Sequence, residues 1–260
     1  MTDPTAATSP RSFPQLLFQP DPGACQVLLV RHGQSMAYVP GQPFPLVDGH
    51  GDPPLTELGL FQAELVGRRL ISEPISAIYV SSLTRTRQTA APLAARLGLT
   101  PTVERDLREI YLGVGEGGAF RQMSADNHPA VLAMRARREW GEIPQAETNA
   151  QLQARTVAAV ERIAATHPDQ MVAVFCHGGV IGALVAHAVG ANPFTFHGAR
   201  HTSISHMVIN QPELATIRAA VAEAEGRTDD RWVLRSFNDA AHAGSLTADH
   251  QTLAEDGPEA

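Results

Sequence analysis

Cysteine is nearly missing from this chain of 260 residues, which holds two, Cys25 and Cys176. Each borders an apolar run, one at its start and the other at its end. Parallel strands of about six residues, rising about 3.3 Å per residue, would hold the sulfurs roughly 20 Å apart, too far for a disulfide. No redox framework follows. An excess of positive charge is missing as well: the formal charge is −7. Nucleic acid and anionic membranes both need a basic face to displace counterions, so neither is expected as a partner, and any cationic site must be local. No run of about 18 apolar residues is present to span a bilayer. The first twenty residues carry Asp3 and several prolines where a secretory signal needs a basic start and an apolar centre, and the expected compartment is the cytoplasm. Aromatic residues make up only 5%, against 43% apolar and 18% charged. That balance fits a soluble enzyme with a core of Ala, Val, Leu and Ile.

What is present alternates. Short apolar runs at 26–30, 75–80, 171–175, 206–209 and 232–236 read as strands, and helix-period segments lie between them. Thr56 and Glu57 mark an N-cap and first turn, after which Leu58, Phe61 and Leu65 recur on one face of a helix running to about residue 71. A second helix begins near Thr84 and ends before Gly98, with Pro92 expected to kink it or delay its start. A third spans about 151–167 with Val157, Val160, Ile163 and Ala164 as its buried stripe, and 178–187 is apolar enough for a buried fourth. The expected architecture is α/β: a three-layer αβα sandwich with a mostly parallel central sheet and a small helical cap insertion at about 117–149. One domain over 25–243 is expected, between flexible tails at 1–24 and 244–260.

Three of the apolar runs lead directly into residues able to handle phosphate. The first leads into Arg31, His32 and Gly33, the second into Ser81, Ser82 and Arg85, and the third, after Cys176, into His177, Gly178 and Gly179. Ligands of an open parallel sheet bind at the carboxyl ends of its strands, so the three endings converge on one crevice. Arginines fork onto phosphate oxygens, and glycines let backbone N–H groups approach closely. A neutral imidazole is a nucleophile, and cationic neighbours favour its neutral form. A proton for the leaving alcohol must come from an acid. The glycine-rich stretch after Leu107 carries Glu109 and Glu116, and either carboxyl suits the role, since a bound dianion favours the protonated form.

These residues resemble those of the histidine phosphatase superfamily, which includes phosphoglycerate mutases and many small phosphatases. The likeness runs from about 26 to 242. It rests on Leu28, Leu29, Val30, Arg31, His32, Gly33; on Pro54, Leu55, Thr56, Glu57; on Ser81, Ser82 through Arg85 to Ala90; on Leu107 to Glu109 and the Gly113–Gly117 loop; on His177, Gly178, Gly179; and on Phe237 to His242. The resemblance implies that His32 is the nucleophile. It makes Arg31, Arg85 and His177 the phosphate pocket, Glu109 the proton donor and Glu116 a structural member of its loop. Gln34 stands where many members have Glu, Tyr38 where many have Asn, Gly115 where a tryptophan is common, and 40–51 is extra length.

The implied activity is a phosphomonoester hydrolase working through a phosphohistidine on His32, acting on a small phosphorylated molecule. A phosphomutase with the same residues is the nearest alternative. Its relatives carry Glu-Arg-His-Tyr where Glu109 is here followed by Ile110, Tyr111 and Leu112. A non-catalytic phosphate-binding protein is the third reading. No metal or organic cofactor is expected, because arginines and imidazoles meet the phosphate charge. The i, i+4 pair His197 and His201 lacks a partner set with ligand spacing. The segment from His201 to Ser203 is expected as a loop at the pocket edge. Cys176 reads as a small buried hydrophobe, Arg87 as a surface residue, and Arg135, Arg137 and Arg138 as a solvated face. A homodimer is left open.

Overall fold

Strand β1 (Cys25–Arg31) and strand β6 (Met171–Cys176) are apolar on both faces, as strands covered on both sides must be. They pair in parallel at the centre of a six-stranded sheet. This computed structural model describes residues 15, 17–211 and 231–247; the tails expected at 1–24 and 244–260 lie mostly outside them. Strands β4 (Ile75–Val80), β5 (Thr102–Val103), β7 (Ile204–Ile209) and β8 (Trp232–Asp239) complete the order β5-β4-β6-β1-β7-β8. β7 is antiparallel to both of its neighbours, and the other pairings are parallel. The sheet is mostly parallel, as the alternating pattern requires.

Alternation along the strands separates two cores. Val27, Leu29, Val172 and Val174 face one side, packed with Leu152, Val160, Ile181 and Leu184 from helices α5 (Asn149–Ala165) and α6 (Gly178–Ala188). Leu28, Val30, Ala173 and Phe175 face the other, against Val66, Leu70, Ala90 and Leu93 of α1 (Glu57–Leu70) and α2 (Thr84–Leu97). The result is the three-layer αβα sandwich. Helices α3 (Ala119–Ala125) and α4 (Pro129–Arg137) lie between β5 and α5 in the chain. A small separate cluster of Val131, Met134, Ile143 and Phe194 holds this region together.

Three details differ from the sequence reading. Helix α1 buries Gly59, Gln62, Ala63, Val66, Gly67 and Leu70, while Phe61 is 52% exposed and Leu58 36%. The cause is close backbone approach: a Cβ on Gly59 would lie 2.1 Å from the Gln34 carbonyl oxygen, and one on Gly33 would lie 2.5 Å from that of Gly59. The small-residue face wins over the more apolar one. Helix α2 runs unbroken through Pro92 from Thr84. Its first turn is capped from outside, by Asp52, which accepts from the Thr84 N–H at 2.7 Å and from its hydroxyl at 2.6 Å. Helix α5 starts at Asn149, earlier than expected, because Thr148 and Gln151 form a reciprocal capping box.

Candidate active site

The sheet register brings the three endings together. Arg31 pairs with Cys176 and Val80 with Phe175, so the segments after β1, β6 and β4 leave adjacent strands at one edge. His32 follows β1 and is 6% exposed. Its Nδ1 lies 2.7 Å from the Gly33 carbonyl, which needs a donated proton, and its Nε2 accepts from Arg85 Nε at 3.3 Å. The two contacts select one tautomer, with the lone pair on Nε2. Burial holds the His32 pKa well below the ordinary imidazole range, and the Arg85 and Arg31 cations push it the same way. The ring is held neutral, with its lone pair on Nε2.

Around it the pocket is cationic. Arg85, on the first turn of α2, is 7% exposed and donates to the Gly51 carbonyl at 3.0 Å. Burial lowers its pKa to about 10, opposed by Glu109 and Asp52, so the guanidinium stays charged at neutral pH. Arg31 donates to the Ala199 carbonyl. His177 is fully buried with its ring centroid 5.1 Å from that of His32, and Ser81 Oγ lies 2.9 Å from its Nε2. Its Nδ1 has no partner among the described residues. Burial first, then Arg85, pushes its pKa well down too.

The two carboxyls are held differently. Glu109 sits at the N-terminus of α6, accepting from Gly179 N–H at 3.1 Å, and a Cβ on Gly179 would fall 2.5 Å from Glu109 Oε1. Arg155 of α5 gathers the segment that delivers it, donating to the carbonyls of Asp106, Arg108 and Glu109 at 2.7, 2.8 and 2.9 Å while Glu147 holds the guanidinium from the other side. Glu116 has both oxygens occupied by backbone, Gly51 N–H at 2.6 Å and Leu112 N–H at 2.8 Å. It ties the loop to the segment 46–51, where β2 (Leu46–Val47) and β3 (His50–Gly51) form a hairpin.

A cavity of about 510 Å³ opens over these residues, lined by Arg31, His32, Arg85 and Glu109 among others. His177 lies behind the lining, next to Gly178, which belongs to it. His201 also lines the cavity, on a loop as expected, its ring 6.2 Å from His32 and its pKa lowered to about 3 by burial and by Arg31. The Phe237–His242 segment braces that loop: Asn238 accepts from Arg200 N–H at 2.7 Å. His197 reaches the cavity too, with Nδ1 2.7 Å from the Phe194 carbonyl.

Other residues fall elsewhere. Tyr38 packs edge-on to Phe44 outside the lining. Arg87 is exposed and Cys176 is buried. Arg135, Arg137 and Arg138 bond to Ser124, Glu142 and Thr195. The cationic residue that α3 sends into the cavity is Arg121, bonded to Ser35 Oγ at 2.9 Å. Sequence reasoning passed over it. Its one signal was an isolated arginine four residues after the glycine-rich loop. The hairpin was missed as well, and it brings Phe44, His50 and Gly51 to the wall.

The lowered histidines make stability depend on pH. In the unfolded chain these imidazoles titrate near 6.5, and His32, His177 and His201 have folded values below that. Below about pH 6.5 the unfolded chain binds more protons, so stability present above that value is lost as pH falls. The thermal midpoint is expected to drop steadily between about pH 7 and pH 5. Added inorganic phosphate, which favours protonated imidazoles, should offset part of the drop. A midpoint that is flat or rises on acidification would contradict the burial of neutral histidines.

A sequence profile of the histidine phosphatase superfamily (branch 1) matches residues 27–239. The chain is 30% identical over 217 residues to "Probable phosphoglycerate mutase GpmB" of Yersinia enterocolitica, covering 84% of this chain and 94% of that protein. Among solved structures, a mycobacterial glucosyl-3-phosphoglycerate phosphatase is similar with a TM-score of 0.65 and 28% identity, over 84% of this chain and all of that one (100%). A phosphoglycerate mutase of Bacillus anthracis shares the fold, with a TM-score of 0.65 at 20% identity over 87% of this chain and 98% of its own. Among the described residues no helix is long and apolar enough to cross a membrane.

Proposed function

The chain belongs to the histidine phosphatase superfamily, and from that premise we propose that it hydrolyses a phosphomonoester through a phosphohistidine on His32. The observation that carries this is the tautomer of His32, whose Nε2 lone pair faces Arg85 while Nδ1 is bonded to Gly33. Arg31, Arg85 and His177 take the phosphoryl oxygens. Nε2 attacks phosphorus as the ester P–O bond breaks, and Glu109 gives its proton to the leaving oxygen. Glu109 then takes a proton from a water whose oxygen attacks phosphorus as the P–N bond breaks, which returns His32 and releases inorganic phosphate. Atoms and charge balance over the two steps.

The cation supply favours hydrolysis over a mutase reaction. Passing the phosphoryl to a second hydroxyl of a bound monophosphate creates a bisphosphate, and its second phosphate needs a second cationic nest. The chain has no lysine. Beyond Arg31 and Arg85, Arg121 is the only arginine among the described lining residues. The deciding experiment follows phosphate release and isomer formation together, without added metal, on 3-phosphoglycerate, sugar phosphates, nucleotides and an aryl phosphate. Release without isomer supports the hydrolase. Isomer without release replaces it with a mutase, and silence on both leaves a phosphate-binding protein.

A further inference from the structure

We propose that the alcohol this site releases carries an aromatic group, so that the substrate is an aryl-bearing phosphomonoester rather than a phosphorylated sugar acid. The inference rests on the hydrolase reading above. Aromatic residues are only 5% of the chain, yet Phe44, Phe120 and Trp140 all line the one cavity that holds His32. They come from three segments outside the sheet: the stretch leading into the β2–β3 hairpin, helix α3 and the turn after α4. Phe120 and Trp140 stand 5.8 Å apart with their planes inclined by 60°, an angled wall that a further ring can meet edge-on or offset. Ile110, Leu112 and Pro53 add apolar surface beside them.

Three polar side chains of this wall have protein partners, while the buried His50 Nε2 has none among the described residues. Both oxygens of Glu116 accept from backbone N–H groups. Arg121 is bonded to Ser35 and lies over the Phe44 ring, 5.2 Å from its centroid. His197 Nδ1 is bonded to the Phe194 carbonyl. Sugar hydroxyls brought against Phe44, Phe120 and Trp140 would leave water for ring faces that offer no full hydrogen bond, and that desolvation goes uncompensated. An aromatic ring loses nothing of the kind and gains burial.

Aryl phosphates themselves are a poor test, because a phenol leaves readily from any site. The comparison is therefore 2-phenylethyl phosphate against ethyl phosphate, both esters of primary alcohols of similar leaving ability, with 3-phosphoglycerate as third substrate. The 2-phenylethyl ester is expected to exceed the ethyl ester in kcat/KM by about tenfold or more, as burial of most of a phenyl ring requires. It should also exceed 3-phosphoglycerate. In Phe44→Ala and in Phe120→Leu, each verified by its thermal midpoint, the ratio of the two alkyl esters should fall to about threefold or less. Two variants are used because Phe120 also packs in the small cluster around Val131. A wild-type ratio near one, a ratio that neither folded variant changes, or preference for 3-phosphoglycerate overturns the substrate class while phosphate release keeps the hydrolase standing. No release from any of the three esters overturns the hydrolase itself, and this inference with it.

Discussion

His32→Ala is expected to lower kcat by about 10⁴-fold or more, the scale seen when a covalent nucleophile is removed and only binding and electrostatic stabilisation remain. The protein should still fold. The His32 side chain contributes one bond to the neighbouring Gly33 carbonyl and accepts one from Arg85, and its removal deletes one buried imidazole that stays neutral in the folded protein while the unfolded chain takes up a proton. The variant's thermal midpoint is thus expected to fall less steeply on acidification than the wild type's, because His177 and His201 still contribute. A second readout separates chemistry from binding: rapid quenching of the wild type should trap a phosphoryl group that is stable in base and labile in acid, as a P–N bond is, and the variant should trap none. A His32→Ala protein with a tenth of the wild-type rate would end the phosphoenzyme proposal.

Much of this site was legible because it sits where strand periodicity ends. β1, β4 and β6 announce themselves as apolar runs, and the residues that follow each one are forced by parallel pairing to meet at one sheet edge. Arg31, His32, Arg85 and His177 needed nothing more. What stayed hidden depends on contacts distant in sequence. Asp52 caps α2 across 32 residues, and no local signal connects it to Thr84. Arg155 holds the carbonyls that deliver Glu109 from inside an otherwise ordinary amphipathic helix. Arg121 enters the cavity while the three denser arginines downstream do not, because helix orientation and not charge count decides which side chain points inward. The misread face of α1 has a similar origin. Hydrophobic periodicity weighs Leu58 and Phe61 above Gly59 and Ala63, but the backbone contact between Gly33 and Gly59 leaves room only for the small face.

Glu109→Gln should separate the two carboxyls that the sequence leaves open. With an alkyl phosphate the leaving oxygen needs a proton, and loss of a positioned acid costs about 10² to 10⁴-fold in kcat/KM. With 4-nitrophenyl phosphate the leaving oxygen departs unprotonated, and the same variant should lose about tenfold or less in that step. The glutamine keeps an oxygen for the Gly179 N–H, which currently lies 3.1 Å from Glu109 Oε1, so the loop should stay in place and the contrast between substrates should be chemical. Glu116→Gln behaves otherwise. Its carboxylate joins two backbone N–H groups from different segments, and an amide offers one acceptor where two are used. The unmatched N–H costs about 1 to 3 kcal/mol of stability, and any loss of kcat should be similar for both esters because no proton transfer is involved. The measurement is therefore the ratio of alkyl to aryl kcat/KM in each variant, which reports phosphoryl transfer to His32 and not the later hydrolysis that both esters share, beside its thermal midpoint. If the ratio collapses in Glu116→Gln and not in Glu109→Gln, the proton donor is Glu116, and the hairpin that it ties to the loop becomes part of the catalytic apparatus rather than its support.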